Sequence, residues 1–438
     1  MSKAPLILIV IGFGLQFWDE FPPDHAAAQQ MVQLPPEDRR LEPGFEEVFR
    51  VGGMVGEVWE QFGMIEDVAF DGAGNLYLLD ADALNVVVVD HEGDFIRTMG
   101  RAGNGPGEFD FPRWLAVLED GRIVVSDIPR HRAFQIYNSD GSFDRNVRVG
   151  NDLLAIGDRI HGGRNAVVFA GPALAQVEEM VPENEKDPPG KRRILRALLE
   201  GGEVVWETVF QAWGPPFVGE LTLRIGGREI PMGGVTPPPR TLRSGLACRH
   251  PARRGLAFSD SSAYAIKILD PGGVLVRILT RPIHPVPVTD RIVEAEFERR
   301  VGEAVADFVA RGQRPRMIQN AVTGETVEGV LPLDEAMLEG VRLSTLAQLE
   351  AVPVADEVPV VLDLRTTWGG QIWVQRRGED LFSDGSIDVL TSDGRYLGSY
   401  PAGTPMPVAF GLGGLLAVLE TDEWGTQSVI VRRVSSAL

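Results

Sequence analysis

Apolar residues fall in short runs cut by glycine and aspartate, with no helical spacing over most of the chain. Residues 67–80 read DVAFDGAGNLYLLD and residues 114–127 read WLAVLEDGRIVVSD. Set one above the other at an offset of 47, Val68 falls on Leu115, Gly74 on Gly121, Leu76 on Ile123 and Asp80 on Asp127. The continuations also match: NVVVVDHEGDFIRTMG (85–100) sits over RAFQIYNSDGSFDRNVRVG (132–150), with Gly93 opposite Gly141. Each copy reads strand, Gly turn, strand, Asp-headed loop, strand, Asp/Gly turn, strand. Short β-branched runs between such turns predict antiparallel hairpins. Four short strands repeating every ~40–50 residues are the mark of a propeller blade.

The pattern recurs with decay at 255–279, at 369–377 with 387–403, and at 415–434. A degenerate copy occupies 153–210, as AVVFAG followed by a strand–GG–strand run. The last unit has three strands of its own. FEEVFRVGG (45–53), ahead of the first full unit, supplies its fourth. The prediction is an all-β fold, a six-bladed β-propeller of four-stranded antiparallel blades over residues 45–438, preceded by a linker at 29–44. Pairing first and last strands removes the exposed edges that invite aggregation.

One region departs from the rhythm. In residues 289–350, Val293, Phe297, Val301, Val305 and Val309 recur every four positions, after Thr289 as a candidate N-cap and before Gly312. That predicts a helix, and DEAMLEGVRLSTLAQLEA (334–351) predicts a second. The pair either packs on the rim or forms a lid over one mouth of the channel.

GNGPGEFDFP (103–112) has three glycines at alternate positions, like a phosphate-cradling loop. A phosphate loop follows a strand and opens a helix, usually with a Lys-Ser or Lys-Thr. Here a strand follows and no such lysine exists. The glycines are turn residues between blades, and Phe109 and Phe111 are expected to wedge between neighbouring sheets.

The stretch from Gly103 to Phe143 closely resembles an NHL repeat. It has a GxGPGEF lead-in, a Pro before the inner strand, a Gly turn, V-x-D, an H-R pair, Q-hydrophobic-aromatic and a D-G turn. The match is moderate at 56–100 and weak elsewhere. The whole plan is similar to secreted bacterial six-bladed propellers with a helical insertion late in the chain. That resemblance implies an interaction platform. For some relatives it implies a lyase or lactonase with a divalent metal in the central channel, held by ligands from separate blades.

Charge narrows the partners. The net charge of −20, with pI about 4.8, excludes a general nucleic-acid binder. The basic clusters Lys191–Arg193 and Arg249, His250, Arg253 and Arg254 read as solvated loop charges. A single cysteine, Cys248, allows no intramolecular disulfide and no cysteine metal cluster. The six histidines show no H-x-x-x-H or H-E-x-x-H spacing. At the N-terminus, Lys3, the apolar run Leu6–Leu15 and Ala26-Ala27-Ala28 predict a signal peptide over residues 1–28. An uncleaved anchor is the alternative. The expected location is periplasmic or secreted.

Asp80, Asp127 and Asp260 fall at equivalent places after a second strand, where a carboxylate can accept backbone N–H bonds and pin the next turn. The candidate ligand site is the mouth reached by loops entering the inner strands, with Asp67, Arg113, Trp114, Arg130 and His131. Trp114 offers a ring and Arg113 a forked donor suited to carboxylate or phosphate. Three functions follow: a monomeric scaffold that binds a protein or small molecule without catalysis, a metal-dependent lyase or lactonase, or an envelope carbohydrate or peptidoglycan binder.

Overall fold

The computed structural model describes residues 29–127, 131–149, 160–163, 166–170, 191–213, 222–225, 228–231, 255–312, 316–319, 326–329, 333–350 and 354–434. They form six four-stranded sheets arranged as a propeller. Blade one comprises Ile65–Phe70, Leu76–Asp80, Asn85–Val89 and Phe95–Met99, from the channel outward. Blade two comprises Pro112–Val117, Ile123–Asp127, Ala133–Tyr137 and Phe143–Arg148. Blade three runs from His161–Gly162 through Ala166–Ala170 and Lys191–Leu198 to Val205–Trp213. Blade five holds Val361–Thr366, Gln371–Arg377, Asp384–Thr391 and Tyr396–Tyr400.

Blade six closes the ring. Ala409–Phe410, Leu415–Thr421 and Gln427–Val434 are joined by Phe45–Gly52, which pairs antiparallel with Gln427–Val434 from Phe45↔Val434 to Gly52↔Ser428. The expected closure is therefore present. Blade four differs at its outer edge, and its described strands correspond to the second, third and fourth strands of the other blades. Leu256–Phe258, Ala265–Leu269 and Leu275–Thr280 are antiparallel, but Gln30–Gln33 adds to the last of them in parallel.

The core is distributed among the blade junctions. Leu76 and Leu78 face blade six in one buried cluster, while Tyr77 and Leu79 face blade two in another. Both faces of these strands are thus covered, so both alternating residue sets are apolar. This is why the second and third strands read as continuous runs, such as NLYLL and NVVVV, instead of alternating apolar and polar. Equivalent clusters fill the other four junctions.

The segment after Gln33 continues as a strap across blade five. Leu34 N–H reaches Thr280 O at 2.7 Å, and Arg40 bridges Ser399. Arg281, fully buried, donates from Nε to Pro35 O at 2.8 Å and pairs with both Asp38 and Asp388. Burial opposes ionisation of Asp38, but the hydrogen bonds and charges of Arg376 and Arg281 outweigh it and hold its carboxyl below the usual range.

The insertion forms as expected, with helix α1 at Asp290–Gly312 and α2 at Glu335–Glu350. Thr289 O accepts the N–H groups of Ile292 and Val293, and Asp334 Oδ1 accepts that of Met337. Between the helices lies a ribbon, Arg316–Gln319 paired with Thr326–Gly329. A short pairing of Val286–Pro287 with Glu357–Val358 forms the stalk. The expected apolar stripe is half-buried at Val293, Phe297 and Val301, whereas Glu296 on the same helix is fully buried. Arg299 and Arg300 both donate to its carboxylate.

Candidate ligand site in the axial channel

The described inner strands, those of blades one, two, three, five and six, all run the same way through the ring. The loops that lead into them form one face, and the turns that follow them form the other. The five residues expected at the entry mouth are placed as follows. Asp67 is buried, and its Oδ1 accepts the N–H of Val68 at 2.9 Å. Its Oδ2 accepts the N–H of Leu115 at 3.0 Å, so one carboxylate joins the inner strands of blades one and two. Arg113 stands at the entry end, 3.0 Å from Glu66 and over the rings of Phe111 and Trp114. Trp114 is half-buried against the core between blades two and three. His131 Nδ1 lies 2.5 Å from Asp127 Oδ2. Arg130 lies outside the described residues. Arg113 and Trp114 are brought together; His131 is held on the neighbouring turn.

The aspartate series is architectural. Asp80 accepts the N–H groups of Gly63 and Met64 from the entering loop and of Asp82 and Ala83 from its own turn. Asp127 accepts those of Asp110 and Phe111, and Asp260 that of Trp213. Asp80 and Asp127 each tie the loop arriving from the previous blade to the end of a second strand, and Asp260 ties down the last residue of the previous blade's outer strand.

The glycine-rich stretch holds the chain's own anion. Glu108 Oε2 accepts the N–H of Gly105 at 2.8 Å, and Arg101 pairs with the same carboxylate. Those bonds hold the Glu108 carboxyl below its usual range, the Gly105 N–H contributing most. A Cβ on Gly103, whose φ is +152°, would lie 2.1 Å from Glu108 Oε2. The cradle is thus filled from within. Phe109 is wedged between blades one and two as expected, but Phe111 is 49% exposed. Its N–H is fixed by Asp127, which turns the ring outward beneath Arg113.

A cavity of about 120 Å³ occupies the channel. Asp67–Phe70, Leu115–Glu119, Ile160–Gly162, Thr366–Trp368 and Phe410 line it. These are mostly the last residues of the inner strands and the turns beyond them. The mouth therefore lies on the face away from Arg113 and away from the helical insertion, which enters between the outer part of blade four and the inner strand of blade five. The insertion is not a lid over this mouth.

Sequence reasoning missed most of the lining. Thr366 is buried, and Trp368 stands at the rim with its Nε1 donating to Phe410 O at 2.7 Å. Gly162 lets blade three close on blade two, because a Cβ there would lie 2.3 Å from Val117 O. The only advance signal for Trp368 was its place in TTWGG, a turn ahead of QIWVQRR.

A divalent metal needs several donor atoms gathered at one point. Asp67, Glu119 and His161 are suitable ligand types, and all line the cavity. Among the described residues, the group that gathers three donor atoms within 4.8 Å is instead Asp90, Glu92 and Asp94. There Asp90 Oδ1 already accepts the N–H groups of Glu92 and Asp94, as a turn acceptor. The described channel residues do not gather three such donor atoms into a metal centre.

No family model matches the chain, and no curated protein matches it. Solved structures resemble it at low identity. One is a protein of Bacteroides fragilis NCTC 9343 inferred to be exported, at 9% identity and TM-score 0.45, covering 93% of this chain and 100% of that one. A member of the DUF4221 family from Bacteroides vulgatus gives 10% identity and TM-score 0.44, covering 90% and 98%. Virginiamycin B lyase from Staphylococcus aureus gives 13% and 0.34, covering 84% and 94%. The architecture rests on the strand pairings above.

Proposed function

We propose that this protein is a non-catalytic, NHL-like binding propeller that works outside the cytoplasm and receives a small polar ligand in its channel. The observation that carries this is the cavity at the exit end of the inner strands. It combines the carboxylates of Asp67 and Glu119, the imidazole of His161, the hydroxyls of Thr366 and Thr367 and the ring of Trp368. A few polar groups converging in a concave, partly apolar site are what small-molecule recognition uses. The volume is below the ~300–1,000 Å³ of sites that enclose a drug-sized ligand, so it suits a small molecule or the end group of a larger one. No lysine or arginine is among the described lining residues, so a neutral or cationic ligand fits better there than an anion. Export is proposed from the apolar run and the small residues before Gln29.

The test is a thermal-shift screen of the full chain against monosaccharides, sugar lactones, amino acids and polyamines. Hits are then titrated against wild type, His161→Ala and Trp368→Ala. A neutral or cationic hit whose affinity falls about tenfold or more in both variants supports the reading. Metal-stimulated turnover of a lactone would replace it with the lactonase reading. An anionic hit weakened by Arg113→Ala and not by Trp368→Ala would move the site to the entry mouth.

A further inference from the structure

Two loops on the entry face carry large apolar side chains into solvent. One joins the outer strand of blade six to the inner strand of blade one and bears Met54, Val55 and Val58; the latter two are 97% and 84% exposed. The other is the turn between the second and third strands of blade six, with Trp424 at its tip, 75% exposed. Both loops leave the sheet at one level, since Gly52 pairs with Ser428 and Ser428 with Glu420. Gln427 holds the junction closed. Its Oε1 accepts the N–H of Ile65 at 2.6 Å, and a Cβ on Gly52 would lie 2.8 Å from its carbonyl oxygen. Both loops therefore rise from one blade junction, the first reaching outward until Trp59, next to Val58, packs on Phe95 of blade one's outer strand with ring centroids 5.2 Å apart.

Single exposed apolar residues need no explanation, but a group of them rimmed by polar residues marks an interaction surface. The rim here has one sign. Glu57, Glu423 and Asp422 lie exposed in the same two loops, and Asp82 is exposed on the adjoining turn. Residues 53–64 and 422–426 contain no lysine or arginine. Such a field repels phosphate groups, anionic lipid and acidic proteins, and it sets a second copy of this face carboxylate against carboxylate.

We propose that this face docks a segment of a partner protein in which arginine or lysine alternates with large apolar side chains. Trp424 is the aromatic anchor, Val55 and Val58 complete the apolar contact, and the carboxylates steer and orient the basic groups. The surface is separate from the channel cavity, which opens on the opposite face.

The full chain is titrated by calorimetry with a synthetic peptide alternating arginine and leucine, and with its glutamate–leucine counterpart. The basic peptide is expected to bind, with affinity that falls as salt is added. The triple variant Val55→Ser, Val58→Ser, Trp424→Ala is expected to lose about tenfold or more in affinity. A second variant, Glu57→Lys with Glu423→Lys, keeps the apolar side chains and is expected to prefer the acidic peptide. That second variant decides the matter if the triple variant melts early. The proposal is overturned by absence of basic-peptide binding in wild type, by equal binding of both peptides, or by unchanged preference in the charge-reversed protein. Self-association lost in the triple variant would assign the face to a second copy. Capture of phosphatidylglycerol vesicles by wild type and not by the variant would assign it to a membrane.

Discussion

Arg281 places its guanidinium 2.8 Å from Asp388 and 2.6 Å from Asp38. Asp388 belongs to the third strand of blade five, Arg281 follows the outer antiparallel strand of blade four, and Asp38 lies on the strap. One buried cation thus joins two blades and the N-terminal segment that crosses them. Arg376 reinforces it by pairing with both carboxylates.

Arg281→Ala should therefore cost more than a surface charge change. It leaves Asp388 buried beside Tyr264, whose hydroxyl pKa burial and the Asp388 charge already push well upward. Removing one partner of a buried pair costs about 3–5 kcal/mol. Asp38→Asn should cost about 0–1 kcal/mol, because Asp38 is partly solvated. Urea unfolding of both variants measures this, and equal effects would contradict the buried-pair account.

Acid should release the strap before the blades. The pKa of Asp38 is lowered in the folded protein, so its contribution is complete above the ordinary aspartate value of ~3.9 and is lost as pH falls through the lower folded value. Hydrogen exchange near pH 3 should show residues 34–41 opening while the blade-five strands stay protected. Asp38→Asn should abolish the pH dependence of that opening.

Removing residues 29–53 should expose the edge of Gln427–Val434 and cause aggregation and a large drop in Tm. Removing only 29–42 should lower Tm without aggregation, since Phe45–Gly52 still covers that edge. Light scattering during a melt separates the two. Aggregation of both truncations to the same extent would place the protection in the strap instead.

Asp127→Ala should destabilise by about 1–3 kcal/mol for each amide left unpaired, those of Asp110 and Phe111. Asp127→Asn keeps one acceptor oxygen and should lose less. Neither should alter ligand affinity in the channel, because Asp127 does not line the cavity. A ligand-binding defect at unchanged stability would show that the His131–Asp127 pair serves binding and not the blade.

Trp114→Ala should cost about 2–4 kcal/mol, somewhat below the loss for a fully buried aromatic, because the ring packs on the core between blades two and three. Arg113→Ala, which removes a solvent-screened pair with Glu66, should be nearly neutral. Denaturant midpoints compare them. A neutral Trp114→Ala would show that the ring is held for a ligand.

The sequence by itself determined the blade grammar, the closing strand, the ends of both helices and the work of Asp80 and Asp127. These follow from short β-branched runs, turn chemistry and caps, which act over a few residues, and from their repetition at an offset of 47. The inward wedge of Phe109 was legible in the same way, but the outward turn of Phe111 was not. Tertiary structure alone decided the parallel strand Gln30–Gln33, the burial of Glu296 in α1 and the position of the cavity. Residues 29–44 carry no repeat signal, and their order comes from Arg281, which lies 243 positions beyond Asp38. The lining of the channel comes from five inner strands or their turns, distant in sequence, and only closure of the ring brings them to one axis.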